Sequence, residues 1–122
     1  MTIKPLTAIC LAAALAALST GAQAAFCESY VQTSSTAGPC NDCTLDVVET
    51  GSKTYTVRAN NGWSAKVRWR DGNPNDVSGR GRWPVQNNAT FGIRLVSIGD
   101  NLQMRMAIDG GLNFTARFRC TD

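Results

Sequence analysis

Residues 102–120 read LQMRMAIDGGLNFTARFRC, and their pattern decides the fold. Leu102, Met104, Met106 and Ile108 alternate with Gln103 and Arg105. Beyond Asp109-Gly110-Gly111, the residues Leu112, Phe114, Ala116, Phe118 and Cys120 alternate with Asn113, Thr115, Arg117 and Arg119. Successive side chains of a strand point to opposite faces, so a period of two marks a strand with one face buried. A three-residue loop over 109–111 sets Ile108 opposite Leu112, Met106 opposite Phe114, Met104 opposite Ala116 and Leu102 opposite Phe118. Every one of these pairs is apolar, while Arg105 meets Thr115 and Gln103 meets Arg117. A one-residue slip would oppose apolar and polar side chains throughout. The hairpin therefore has one register.

The same test reads residues 55–70. Tyr55, Val57 and Ala59 alternate with Thr56 and Arg58, and Trp63, Ala65, Val67 and Trp69 alternate with Ser64, Lys66, Arg68 and Arg70. An Asn60-Asn61-Gly62 loop with glycine in the left-handed position pairs Ala59 with Trp63, Val57 with Ala65 and Tyr55 with Val67. Trp63 and Trp69 then fall on the inward row. Leu45 and Val47 flank Asp46 as a further strand beginning at Thr44. Residues 90–98 are less regular. A Gly99-Asp100-Asn101 loop sets Val96 beside Met104 and Ile98 beside Leu102, which leaves Phe91, Ile93 and Leu95 outward. That arrangement calls for a bulge near Gly92 or for a strand covered on both faces, as in a sandwich. Residues 71–80 (DGNPNDVSGR) read as a long loop of the kind that carries function. No stretch carries a helical period. The expectation is an all-β, single small antiparallel β-sandwich or barrel, mostly a meander of six or seven strands over 44–122, preceded by an irregular arm over 25–43.

The first 24 residues read as a removable leader. Lys4 gives the positive start, AICLAAALAAL over 8–18 the apolar core, and Ala22-Gln23-Ala24 the small-x-small cleavage pattern. The apolar run is shorter than the roughly 20 residues a membrane span needs. Export, periplasmic or fully secreted, follows as the expected location. Beyond the leader stand Cys27, Cys40, Cys43 and Cys120, an even set that implies two disulfides outside the cytoplasm. Three pairings are open. Cys27–Cys40 with Cys43–Cys120 is favoured, because a Cys40–Cys43 bridge closes a very tight ring. The Cys40-Asn41-Asp42-Cys43 spacing also occurs in thiol exchangers, whose thiolate sits at a helix N-terminus. Here strand-like residues follow instead.

The chain has no histidine, which excludes Ser-His-Asp and Cys-His catalysis and the commonest zinc ligand sets. Neither cofactor nor metal is expected. Asp71 and Asp76 could form a hydrolytic carboxylate pair, but loop aspartates more often shape turns. A formal net charge of +3 is mild and does not point to nucleic acid. The placement of the cations says more. Lys66, Arg68 and Arg70 share one strand face, Arg117 and Arg119 another, and Arg58, Arg94, Arg105, Arg80 and Arg82 are positioned to join them. Arginine's planar fork suits carboxylate, phosphate or sulfate. Trp83, in the run GRGRWP over 79–84, is the expected exposed binding aromatic.

Ser78-Gly79 followed by Trp83 resembles the Ser-Gly-x-x-aromatic motif of the bacterial periplasmic inhibitors of C-type lysozyme, small exported β-proteins. Their Trp-x-Lys-Gly segment is absent, and the likeness spans only these residues. The expected function is a non-catalytic binding module for a protein or an anionic polysaccharide, with enzyme inhibition as one form. Its contact residues are Arg80, Arg82, Trp83, Lys66, Arg68, Arg70, Arg117 and Arg119. Carbohydrate binding through Trp83, or a structural role in a surface assembly, are the alternatives.

Overall fold

The computed structural model describes residues 25–40 and 42–122; the leader expected over 1–24 lies outside the described residues. Eight antiparallel strands run β1 Ser29–Ser35, β2 Thr44–Gly51, β3 Thr54–Ala59, β4 Ser64–Arg70, β5 Asn73–Trp83, β6 Ala89–Ile98, β7 Asn101–Ile108 and β8 Asn113–Cys120. Each pairs with its sequence neighbour, and β1 pairs with β8 to close a barrel. There are no helices among the described residues, and none long and apolar enough to cross a membrane.

Both hairpins read from the sequence form as expected. β7 and β8 pair Met106 with Phe114, Met104 with Ala116 and Leu102 with Phe118. Gly110 takes φ 68° in the loop, and the Gly111 amide donates to the Ile108 carbonyl at 3.0 Å. β3 and β4 pair Tyr55 with Val67 and Val57 with Ala65, with Gly62 at φ 109°. Their inward rows meet in one core that includes Tyr30, Leu45, Val57, Val77, Phe91, Leu95, Leu102 and Met106, all nearly free of solvent. Trp63 is buried and sets its edge against the Phe91 ring at 5.6 Å.

Four expectations are corrected. The strand count is eight because residues 29–35, read as part of an irregular arm, form β1. Alternation is hidden there by a bulge between Gln32 and Ser34, which shifts the inward side from one parity to the other. Residues 71–80 are not a long loop. Asp71 and Gly72 both take positive φ (51° and 71°), the signature of a two-residue type I′ turn, and β5 begins at once. Pro74 is tolerated because the register between β4 and β5 breaks there, passing from Trp69↔Val77 to Arg70↔Asn73. In β6 the connecting turn is two residues long, with Gly99 at φ 61°, so Ile98 faces Asn101 and Ser97 faces Leu102. That one-residue difference turns Phe91, Ile93 and Leu95 into the core and Val96 and Ile98 outward. No strand needs covering on both faces, which is why the sheet closes as a barrel rather than splitting into a sandwich.

The disulfide pairing also differs from the favoured one. The bridges are Cys27–Cys120 and Cys40–Cys43, with Cα separations of 5.9 and 5.5 Å. Pairing of Tyr30 with Cys120 brings the start of β1 beside the end of β8, so Cys27 meets Cys120 at one end of the barrel. Cys40 and Cys43 lie at the other end, in the β1–β2 connection, and have only each other. Two bridges place the chain in an oxidising environment.

Candidate functional site

Cross-strand register assembles the cations. On the outer face Arg68, Ser78, Arg94, Arg105 and Thr115 stand opposite one another across β4 to β8. At about 4.8 Å per strand, Arg68 and Arg105 are separated by about 14 Å along the sheet. Lys66 stands opposite Arg80 and Arg82 opposite Ser64, one and two rows to one side. Gln103 and Arg117 stand opposite each other one row to the other side, with Ser34 continuing that row onto β1. Arg119 sits farther along β8 opposite Asn101. The result is a cationic belt over β4–β8, all on the solvent side. Three acidic side chains gather elsewhere: Asp46 and Glu49 of β2, with Glu28 just before β1, line a groove that also takes in Tyr55, Trp69 and Pro74.

Acidic side chains occupy part of the belt. Asp76, thrust outward by the irregular start of β5, accepts two hydrogen bonds from Arg94, Nε to Oδ1 at 3.0 Å and Nη2 to Oδ2 at 2.7 Å. Arg70 approaches the same carboxylate at 3.8 Å. The Arg94 hydrogen bond holds the Asp76 carboxyl below its ordinary pKa and raises that of Arg94. Asp109, in the β7–β8 loop, takes both terminal nitrogens of Arg80 and the Thr90 hydroxyl, the latter at 2.5 Å. These bonds, Arg80 first, lower the Asp109 carboxyl likewise. Arg94 and Arg80 are thus paired and Arg70 partly so, and Asp76 is committed to arginine rather than free to act with Asp71.

Arg105 and Arg117 have no carboxylate within ion-pair distance among the described residues. Together with Arg94 they line an outer groove of about 590 Å³ over β6–β8. Gln103, Ser34, Thr36 and Thr115 supply polar groups to its wall, and no acidic side chain lines it. Like charges placed directly opposite in a sheet oppose pairing, as Arg94 and Arg105 are here. Asp76 already offsets the charge of Arg94, so Arg105 and Arg117 are the guanidinium forks left to meet an anion with several donors at once.

Of the expected contact residues, Lys66, Arg68, Arg80, Arg82, Arg117 and Arg119 lie on the outer face, and Arg70 at the end of β4. Trp83 does not join them. It lies on the inward row of β5, half-buried against the core, and its Nε1 donates to the Asn61 carbonyl at 3.1 Å. Counting inward from Val77 through Gly79 and Gly81 reaches Trp83, so the alternation was present but masked by glycines. Arg94 and Arg105 are the central pair, and the three-residue turn expected after β6 had concealed their opposition. Ser34 on β1 and Thr36 just beyond it were missed because both fell in the arm read as irregular over 25–43.

No family model matches this chain, no curated protein matches it, and no solved structure matches it.

Proposed function

We propose that this chain is an exported, non-catalytic binding module, periplasmic or secreted, that holds a linear anionic polysaccharide on the outer face of β4–β8. The observation that carries the reading is the groove where Arg105 and Arg117 stand without acidic partners beside Arg94, lined by hydroxyl and amide groups. Guanidinium forks match carboxylate and sulfate oxygens, and sugar hydroxyls suit Ser34, Thr36, Gln103 and Thr115. The belt extends over five strands, a length that suits repeated anionic groups rather than a single one. A folded protein partner is less well served, because tight protein interfaces rest on desolvated aromatic anchors and Trp83 is turned into the barrel. Single-stranded nucleic acid is held largely by stacking on aromatic side chains, which the belt lacks.

Dextran sulfate serves as the probe, with binding measured by calorimetry at several salt concentrations. Affinity should fall as salt screens the belt. Substituting Arg105→Ala together with Arg117→Ala should weaken binding at least about tenfold, equivalent to about 1.4 kcal/mol, with the melting temperature unchanged. A double variant that binds as tightly as the parent would refute the assignment.

A further inference from the structure

The two ends of the barrel are built differently. At the end where the chain enters, Phe26 is buried as a plug beside Tyr55, their ring centroids 5.4 Å apart, and Cys27–Cys120 closes over it. The Ser97 hydroxyl donates to the Ala25 carbonyl at 2.7 Å, fixing that plug. Among the described residues no such plug enters the opposite end, where Pro39, Cys40 and Cys43 of the β1–β2 connection line the opening. There the inward positions of several strands are small: Ala59 on β3, Gly81 on β5, Ala116 on β8 and Ser35 on β1. Gly81 has no alternative, since a Cβ would meet the Phe91 ring at 2.4 Å and the Ser64 carbonyl at 2.5 Å.

Phe91 fills the space beside Gly81, while Ala59 and Ser35 border a cavity of about 300 Å³ walled by side chains from opposite sides of the barrel: Leu45, Trp63 and Trp83 on one, Met104, Phe114 and Phe118 on the other. Among the described residues no charged one lines it. Gln32, on β1 opposite Phe118, adds its amide to these apolar walls, and Ser35, Thr44, Asn61 and Gln86 also line the cavity. Val85 and Leu112, 71% and 81% exposed, stand in the connections at this same end, an apolar rim with nothing packed on it among the described residues. Eight strands enclose an interior that either fills with side chains or holds one small ligand. This barrel does the first at one end and leaves room for the second at the other. Small-molecule sites begin at about 300 Å³ and combine apolar walls with few polar groups.

We infer that the open end of the barrel is a binding site for a small, uncharged aromatic molecule of one or two rings bearing a single hydrogen-bonding group. Such a molecule stacks among Trp63, Trp83 and Phe114 and presents its polar atom to Gln32. The site is separate from the cationic belt and does not depend on it.

The test is a titration of the disulfide-intact protein with 2-naphthol, followed by NMR of the Trp83 indole N–H and the Met104 methyl. The expected result is a saturable one-to-one shift of both signals, with intermolecular nuclear Overhauser contacts to Phe118. Ala59→Phe, which fills the cavity from β3, should weaken binding at least about tenfold. Ser35→Phe fills it from the opposite wall and provides a second reading if the first variant does not fold. Substituting Arg105→Ala with Arg117→Ala should leave 2-naphthol affinity unchanged, so failure of the belt and failure of this site are distinguishable. Absence of saturation, shifts confined to outward residues, or full affinity in a folded filled variant would each overturn the inference.

Discussion

At the scale of single residues, the carboxylates show how little separates a latch from a site. Asp122 accepts the backbone N–H groups of Glu28 at 3.1 Å and Ser29 at 2.9 Å, tying the end of the chain to the start of β1. Those two bonds, Glu28 first, hold its carboxyl below the ordinary range. Asp76 and Asp109 are lowered by arginine in the same direction. A carboxylate whose folded pKa lies below its unfolded value stabilises the fold fully above the unfolded pKa of about 3.9, and that stabilisation is lost as pH falls through the folded one. The melting temperature should therefore be level from neutrality to about pH 5 and decline below about pH 4. Asp122→Asn should lower it at neutral pH and make the acid decline shallower, as scanning calorimetry across pH would show. An unchanged slope would remove Asp122 from the closure of the barrel. Arg105 and Arg117 differ from Arg94 and Arg80 only in lacking such a partner, and that is what leaves them available.

At the scale of strands, alternation was a sufficient guide wherever the inward row carried large apolar side chains. The β3–β4 and β7–β8 hairpins were legible down to their loops and registers, while the turns leading out of β4 and into β7 were not. β5 and β6 were not, for reasons that are physical. Gly79 and Gly81 occupy inward positions of β5 because β4 approaches too closely for a side chain. A Cβ at Gly79 would lie 1.9 Å from the Lys66 carbonyl oxygen. Gly81→Ala should accordingly cost about 3 kcal/mol or prevent folding, measured by urea denaturation, because the obstructing Ser64 carbonyl belongs to the backbone and cannot rotate away. A neutral Gly81→Ala would show that the close packing of β4 and β5 is absent. In β6 apolar residues stand on both parities, so only the length of the turn at Gly99 selects the face. That choice also decides whether Arg94 meets Arg105. The belt was legible as a set of arginines and not as a site, since its centre depends on a register that periodicity left ambiguous.

At the scale of the whole molecule, closure depends on β1, the strand with the weakest pattern, and two devices secure it: the Asp122 latch and the Cys27–Cys120 bridge. That bridge spans 93 residues, whereas Cys40–Cys43 spans 3. Loop-entropy reasoning gives about 4–5 kcal/mol for the long link and about 2 kcal/mol for the short one. Replacing Cys27 and Cys120 by alanine should thus destabilise the barrel far more than replacing Cys40 and Cys43, as paired denaturation curves would reveal. Similar losses would mean that β1 is held by other means. Closure also separates charge, with Glu28, Asp46 and Glu49 gathered at β2 and β4–β8 basic, so the proposed polyanion would meet attraction on one side of the barrel and repulsion on the other. The most direct check is NMR of the arginine Nε–Hε groups while dextran sulfate is added. Arg105 and Arg117 should shift first and furthest, with Arg94 following, and Arg58 on β3 should stay still. Equal shifts of all arginines, or shifts led by Arg58, would contradict a site centred on the β6–β8 groove.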